Sequence, residues 1–157
     1  MTQAEQDQVR GTLIVLLRSF DGTPVPGTWV GRPDAMILPY LADVKMRTLH
    51  DSEGLDAVAD LFGVAEVDGE QFAWVGVIHF GPDPADDRVV DRLFDVAKTE
   101  ISTELTRFDG VMPWLLSLSG IKPEARARLL EVGALFSGRA EVVHLLDAFD
   151  LPTELPV

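Results

Sequence analysis

His79 ends an apolar run, "FAWVGVIHF", and the Gly/Pro break "GPDPADD" follows it directly. A histidine at the end of a strand, beside Asp83, is a place where a general base can emerge from a rigid scaffold. Two glutamates extend this constellation. The helical period over the following stretch puts Glu104 near the centre of an apolar stripe made by Ala97, Ile101, Leu105 and Phe108, with Glu100 one turn earlier at its edge. A carboxylate turned toward a core must be paired, hydrogen-bonded or neutral, and a neutral one suits acid–base work. If the chain is an enzyme, its candidate catalytic residues are His79, Glu104, Glu100 and Asp83. The competing reading is structural. A single histidine at a covered sheet edge is commonly a satisfied packing residue, and Glu104 can sit in a partly buried ion pair with an arginine.

Other constellations carry less. "DDRVVD" (86–91) has the look of an acidic motif for a diphosphate-bound cation, and Asp87, Asp91 and Asp95 fall one turn apart. Arg88 and Arg92 are interleaved, however, and acids are ordinary in the first turn of a helix. "EVVH" (141–144) has Glu-x-x-His spacing, but a di-iron bundle needs a second copy, and none occurs. The apolar stripe of that segment leaves Glu141 and His144 on the wet side. "GTPVPGT" (22–28) lacks the lysine of a phosphate loop, and Pro24 and Pro26 have no N–H to offer. His50 reads as part of a turn. The chain has no cysteine, no GxGxxG and no GxSxG. Thiolate metal sites, disulfides and a cysteine nucleophile are thereby excluded, and neither a metal nor a cofactor is expected.

Charge sets the partner class. The formal net charge is −13 over 157 residues, yet 46% of residues are hydrophobic and the mean hydropathy is +0.14. Such a charge repels nucleic-acid backbones and anionic membranes, so neither is an expected partner. The surplus apolar side chains point to a large core or to an interface. Trp29, Met36, Tyr40, Met112, Trp114 and Leu115 lie outside clearly periodic elements. Of these, Trp114, Met112, Leu115 and Trp29 are the candidate partner-binding residues, since Trp and Met are enriched at interfaces. A protein partner with a basic surface, and self-association into a homo-oligomer, are the expectations. No apolar run approaches membrane-spanning length and no leader-like segment stands out, so the expected location is cytoplasmic. Asn is absent and Arg outnumbers Lys ten to three, which fits a GC-rich bacterial or phage coding sequence.

The elements that position these residues follow from period and punctuation. "TQAE" has the form of a capping box, and Val9, Leu13, Leu16, Leu17 and Phe20 predict a helix over about 3–19, with "TLIVLL" as a possible buried strand instead. The proline- and glycine-rich stretch 21–40 reads as loop, with short strands near Trp29 and over 36–38. Ser52 would cap a short helix packing Leu55, Val58, Ala59 and Phe62 and stopping at Gly63. Asp68-Gly69 predicts a hairpin over about 64–80 whose second strand is apolar on both faces, hence central. A long helix is expected over about 85–108. "VMPWLLSLSG" reads as an apolar connector or short helix. Pro123 opens another helix with Leu129, Leu130 and Leu135 inside, and Gly138 separates it from a last one. The expected fold class is α+β: one helix-rich domain over 1–157, with a small, mainly antiparallel sheet and a proline-bearing tail from about 151.

Together these features favour a small acidic protein-interaction protein without catalysis of its own, such as an adaptor, an inhibitor or immunity protein, a chaperone-like protein or a phage accessory factor. The alternatives are a small enzyme or ligand-binding domain with a His/carboxylate pocket at the end of strand 71–80, and a structural subunit of a larger assembly.

Overall fold

Thr2 and Glu5 start the first helix as their spacing predicts. The Thr2 hydroxyl accepts from the Glu5 N–H at 3.1 Å, and the Glu5 carboxylate accepts from the Thr2 N–H at 3.0 Å. The Thr2 N–H, and next the Thr2 hydroxyl, lower the pKa of Glu5. A lowered carboxylate pKa makes this cap strongest above the ordinary glutamate range, and its contribution fades as pH falls through the folded value. The computed structural model describes residues 1–50, 56–103 and 108–156. Its elements are α1 (Gln3–Arg18), β1 (Pro24–Val25), a 3-10 turn (Gly27–Val30), β2 (Met36–Ile37), β3 (Ala42–His50), β4 (Asp56–Val67), β5 (Glu70–His79), α2 (Asp87–Thr103), β6 (Gly110–Ser117), α3 (Pro123–Val132), β7 (Leu135–Gly138) and α4 (Arg139–Ala148).

The fold is α+β, but the sheet is not the small, mainly antiparallel one the sequence led us to expect. Five strands lie in the order β3-β4-β5-β6-β7, and β1 with β2 forms a separate two-stranded sheet. The pairs β3–β4 and β4–β5 are antiparallel, whereas β5–β6 and β6–β7 are parallel. Each parallel pair is joined through a helix, α2 and then α3, as parallel strands require. One face of the sheet packs on α1, α4 and the 24–37 region through Leu61, Trp74, Ile78, Trp114 and Leu116. The other packs on α2 and α3 through Ala59, Phe62, Val75, Val77 and Leu115.

Double coverage explains the misreadings. Val58, Ala59 and Phe62 have helical spacing, yet they belong to β4. Residues 59–63 are all buried, so no polar face marks the strand period. The expected cap Ser52 and contact Leu55 lie outside the described residues. His50 ends a strand, paired with Asp56, and is not in a turn. "VMPWLLS" is a strand between two others because its Pro113 sits where only one neighbour is present. Pairing with β7 begins at Trp114, so a missing N–H on that side breaks no ladder bond. Leu135 is on β7, and Leu130 is 53% exposed. Trp29 lies in the 3-10 turn, not in a strand.

Other readings match the structure. Residues 12–17 are helical. The hairpin turn holds Asp68 at φ 53° and Gly69 at φ 81°, the two left-handed residues that a tight two-residue turn needs. β5 is central and buried from Ala73 to Ile78.

Gly63 distinguishes strand from helix end. A Cβ there would lie 3.1 Å from the Leu41 Cβ and 3.3 Å from a Val44 methyl. Gly63→Val should therefore cost roughly 1–3 kcal/mol in urea unfolding, as overpacking does. An unchanged midpoint would contradict the close approach of β3 to β4.

Candidate functional site

Asp60 was not among the candidate residues, yet it is the one buried charged side chain among the described residues that the core contains, at 2% exposure. β4 pairs with β5 only as far as Leu61↔Gly76, so the two strands part at Asp60. In this fork Oδ1 accepts from Arg10 Nε at 3.2 Å and Arg10 Nη2 at 3.1 Å. Oδ2 accepts from the Ile78 N–H at 2.9 Å and Arg92 Nη2 at 3.3 Å. Arg10 comes from α1 and Arg92 from α2, on opposite faces of the sheet. Four donors occupy the roughly four lone-pair sites of the carboxylate, which leaves it no free site for a cation or a substrate proton. The signal in the sequence was a single acid inside "AVADLFGVA", since an unpaired charge is costly there.

His79 lies opposite Ser117 at the carboxyl ends of β5 and β6. It lines a cleft of about 260 Å³ with Phe80, Gly81, Ser119 and Arg139. Its Nε2 is 2.8 Å from the Asp83 carbonyl oxygen. A carbonyl only accepts, so Nε2 carries the proton and donates. The Ser119 hydroxyl donates to the same carbonyl at 2.9 Å. The structure thus brings His79 to Asp83, but to its main chain. No ion pair or hydrogen bond joins His79 to a carboxylate among the described residues. Glu104 lies outside them, and Glu100 is placed only as a backbone position on α2. Ser117 donates to the Gly120 carbonyl at 2.6 Å, so it is not poised beside the imidazole as a nucleophile.

Two aspartates of the acidic motif at the start of α2 share one arginine from α3. Arg128 reaches Asp87 at 3.2 Å and Asp91 at 2.7 Å. Asp91, and then Asp87, raise the pKa of the guanidinium. No three His, Asp or Glu residues gather to hold a metal among the described residues. His144 is exposed and stacks on Trp29, with ring centroids 5.3 Å apart and planes 9° from parallel.

The candidate partner residues divide. Trp114 and Leu115 are core, at 1% and 0% exposure. Trp114 packs among Phe20 and Trp74 and donates through Nε1 to Ser137 Oγ at 3.1 Å. Trp29 is half-buried under His144. Met112 alone lines an open apolar groove, of about 450 Å³. Its floor crosses three strands, with Ala65 and Val67 from β4, Phe72 and Trp74 from β5, and Gly110 and Met112 from β6. Met36, Ile37 and Pro39 stand over it as a wall, and none of the ten lining residues carries a charge. Ile37 is 63% exposed, neighbouring Tyr40 68% and Val67 45%. The groove sits at the end of the sheet opposite His79.

No family model matches the chain, and no curated protein does. Two solved structures are similar at low identity. One is a protein of unknown function, AF1548, with 18% identity and a TM-score of 0.48 over 73% of this chain and 64% of that one. The other is a repair endonuclease from Pyrococcus abyssi, with 15% identity and a TM-score of 0.45 over 88% of this chain and 46% of that one. The chain thus spans less than two thirds of either. No described helix is long and apolar enough to cross a membrane.

Removing the Asp60 carboxylate leaves Arg10 and the Ile78 N–H without their partner inside the fork. Asp60→Ala should cost about 3–5 kcal/mol, the usual penalty for breaking a buried charge pair from one side. Chemical denaturation measures it, and a loss below about 1 kcal/mol would show that the fork is not a structural lock.

Proposed function

We propose that this chain is a small acidic protein-interaction protein, with no catalysis of its own, and that its contact surface is the apolar groove over β4, β5 and β6. The observation that carries this reading is an uncharged groove of about 450 Å³ whose wall leaves Ile37 63% exposed. Apolar side chains clustered around a concavity are a binding feature, whereas scattered ones need no explanation. The groove is preformed on rigid elements. Its floor is the strand ladder itself, and Trp74 beneath it is wedged edge-on against Trp114 and Phe20. A partner side chain entering there would lose little free energy to rearrangement of the host.

The arrangement at His79 supports an enzyme less well. The imidazole has a carbonyl for a partner, and the neighbouring hydroxyls are engaged with carbonyls. What favours a ligand there is position alone, at the carboxyl ends of parallel strands, where open sheets often bind small molecules.

Peptides selected from a random display library against the intact protein provide the test. Burying one leucine-sized side chain is worth about 1.5–3 kcal/mol. Selected binders should therefore lose about tenfold or more in affinity for Ile37→Glu, and His79→Ala should leave their affinity unchanged. Binders that ignore Ile37→Glu but fail on His79→Ala would move the site to the other end of the sheet and sink this reading.

A further inference from the structure

The negative charge is not spread evenly along the chain. Residues 48–87 hold ten Asp or Glu and no Lys or Arg, so this stretch carries ten of the thirteen excess negative charges. Asp60, within it, is already matched by Arg10 and Arg92. The β4–β5 hairpin is not matched. Its tight turn concentrates Glu66, Asp68 and Glu70 within five residues, all exposed. None of the three has an ion pair with a described residue.

Glu70 and the turn residue Asp68 lie next to the groove, while Glu66, between the lining residues Ala65 and Val67, belongs to the other face of β4. Glu70 pairs directly with Val67, a lining residue. Strand alternation puts Glu70 on the same face as Phe72 and Trp74, the floor. Asp109 immediately precedes Gly110 at the head of β6, and its Oδ2 accepts from the Gln71 N–H at 2.8 Å. Arg32 approaches the Met112 sulfur at 3.7 Å, and its guanidinium is engaged by the Gly133 carbonyl. Like charges held together on a turn repel one another, and a cationic partner relieves that repulsion.

We infer that the groove takes a cationic amphipathic segment of a protein partner: an apolar side chain enters between Phe72 and Met112, and lysine or arginine lies over Glu70 and Asp68. This rests on the groove being the contact surface. A second copy of the chain is the poorer occupant, because it would bring its own acidic hairpin and its own excess charge. An anionic lipid surface is repelled for the same reason.

The test uses three short synthetic peptides with the same leucine positions and with lysine, glutamine or glutamate at every polar position. They are titrated calorimetrically into the intact protein at low and high salt. The lysine peptide should bind about tenfold or more tighter than the glutamine peptide, and tighter still than the glutamate one. Its advantage should shrink in high salt and vanish in the triple variant Glu66→Gln, Asp68→Asn, Glu70→Gln, whose fold is checked by circular dichroism. Ile37→Glu should abolish binding of the lysine peptide. Equal binding of lysine and glutamine peptides, both lost in Ile37→Glu, would overturn the charge inference and leave the groove reading standing. Lysine-peptide binding that survives Ile37→Glu would overturn it as mere surface adhesion. Failure of all three peptides to bind would remove the groove reading itself, and the inference with it. A dimer in sedimentation that Ile37→Glu dissociates would make a second copy the occupant and also overturn the inference.

Discussion

Two arginines from opposite sides of the sheet meet on the single carboxylate of Asp60, and the layers are held in register through it. Arg10 reaches it from α1 and Arg92 from α2, both where β4 leaves β5. A fork between strands would otherwise expose ladder groups inside the protein, and the Ile78 N–H is one of them. Asp60 Oδ2 supplies that N–H with an acceptor at 2.9 Å. One side chain thus bridges two arginines, Arg10 being shared with Asp7, and completes the main-chain hydrogen bonding at the splay. With its partners in place the burial is tolerable. Without Arg10 the carboxylate would keep only the half-exposed Arg92 as a cationic partner, in a medium that solvates charge poorly.

The lock has a consequence for where function can sit. Near the fork the sheet is closed by Arg10, which lies over the Phe80 ring at 5.5 Å, and His79 beside it is tied to the 81–85 loop through the Asp83 carbonyl. The cleft there is small, and its polar groups are largely occupied with one another. At the opposite end no residue of α1 or α4 lines the groove. Its wall comes from β2 and Pro39, beside Phe72, Met112 and Val67 in an open trough. A rigid ladder with thin cover is a good place to receive side chains from outside, because the receiving surface is already ordered.

How much of this the sequence revealed depends on whether an element had a polar side. α1 has one, along with a capping box, and its helix was legible. The Asp68-Gly69 turn was legible because only a few residue types accept two successive left-handed conformations. β4 and β6 were not, since strands covered on both faces show no alternation, and helical spacing can be found in any apolar run. Pro113 deepened the error by resembling a breaker at a site where β6 has a neighbour on one side only. Trp114 and Leu115 were misjudged for the same reason. Placed in a connector they looked like interface residues, and placed in an inner strand they are core. Met112, two residues earlier, is only partly buried, and β7 does not extend that far. Asp60 and the one-sided charge of residues 48–87 were present in the sequence as plain composition, but only the fork and the hairpin give them a location.

An acidic chain this rich in apolar residues presents a tension, and the fold resolves it by separation. Most of the apolar surplus fills two cores on the two faces of one sheet, and the remainder lines a trough at one end. The excess charge falls largely within residues 48–87, with Glu66, Asp68 and Glu70 at the hairpin beside that trough. In the encounter proposed above, negative charge around an apolar patch would favour a cationic partner before contact is made. Under that proposal apolar burial would supply most of the affinity, and the hairpin carboxylates the discrimination. The two properties that looked contradictory in the composition would then act at one place and on one encounter.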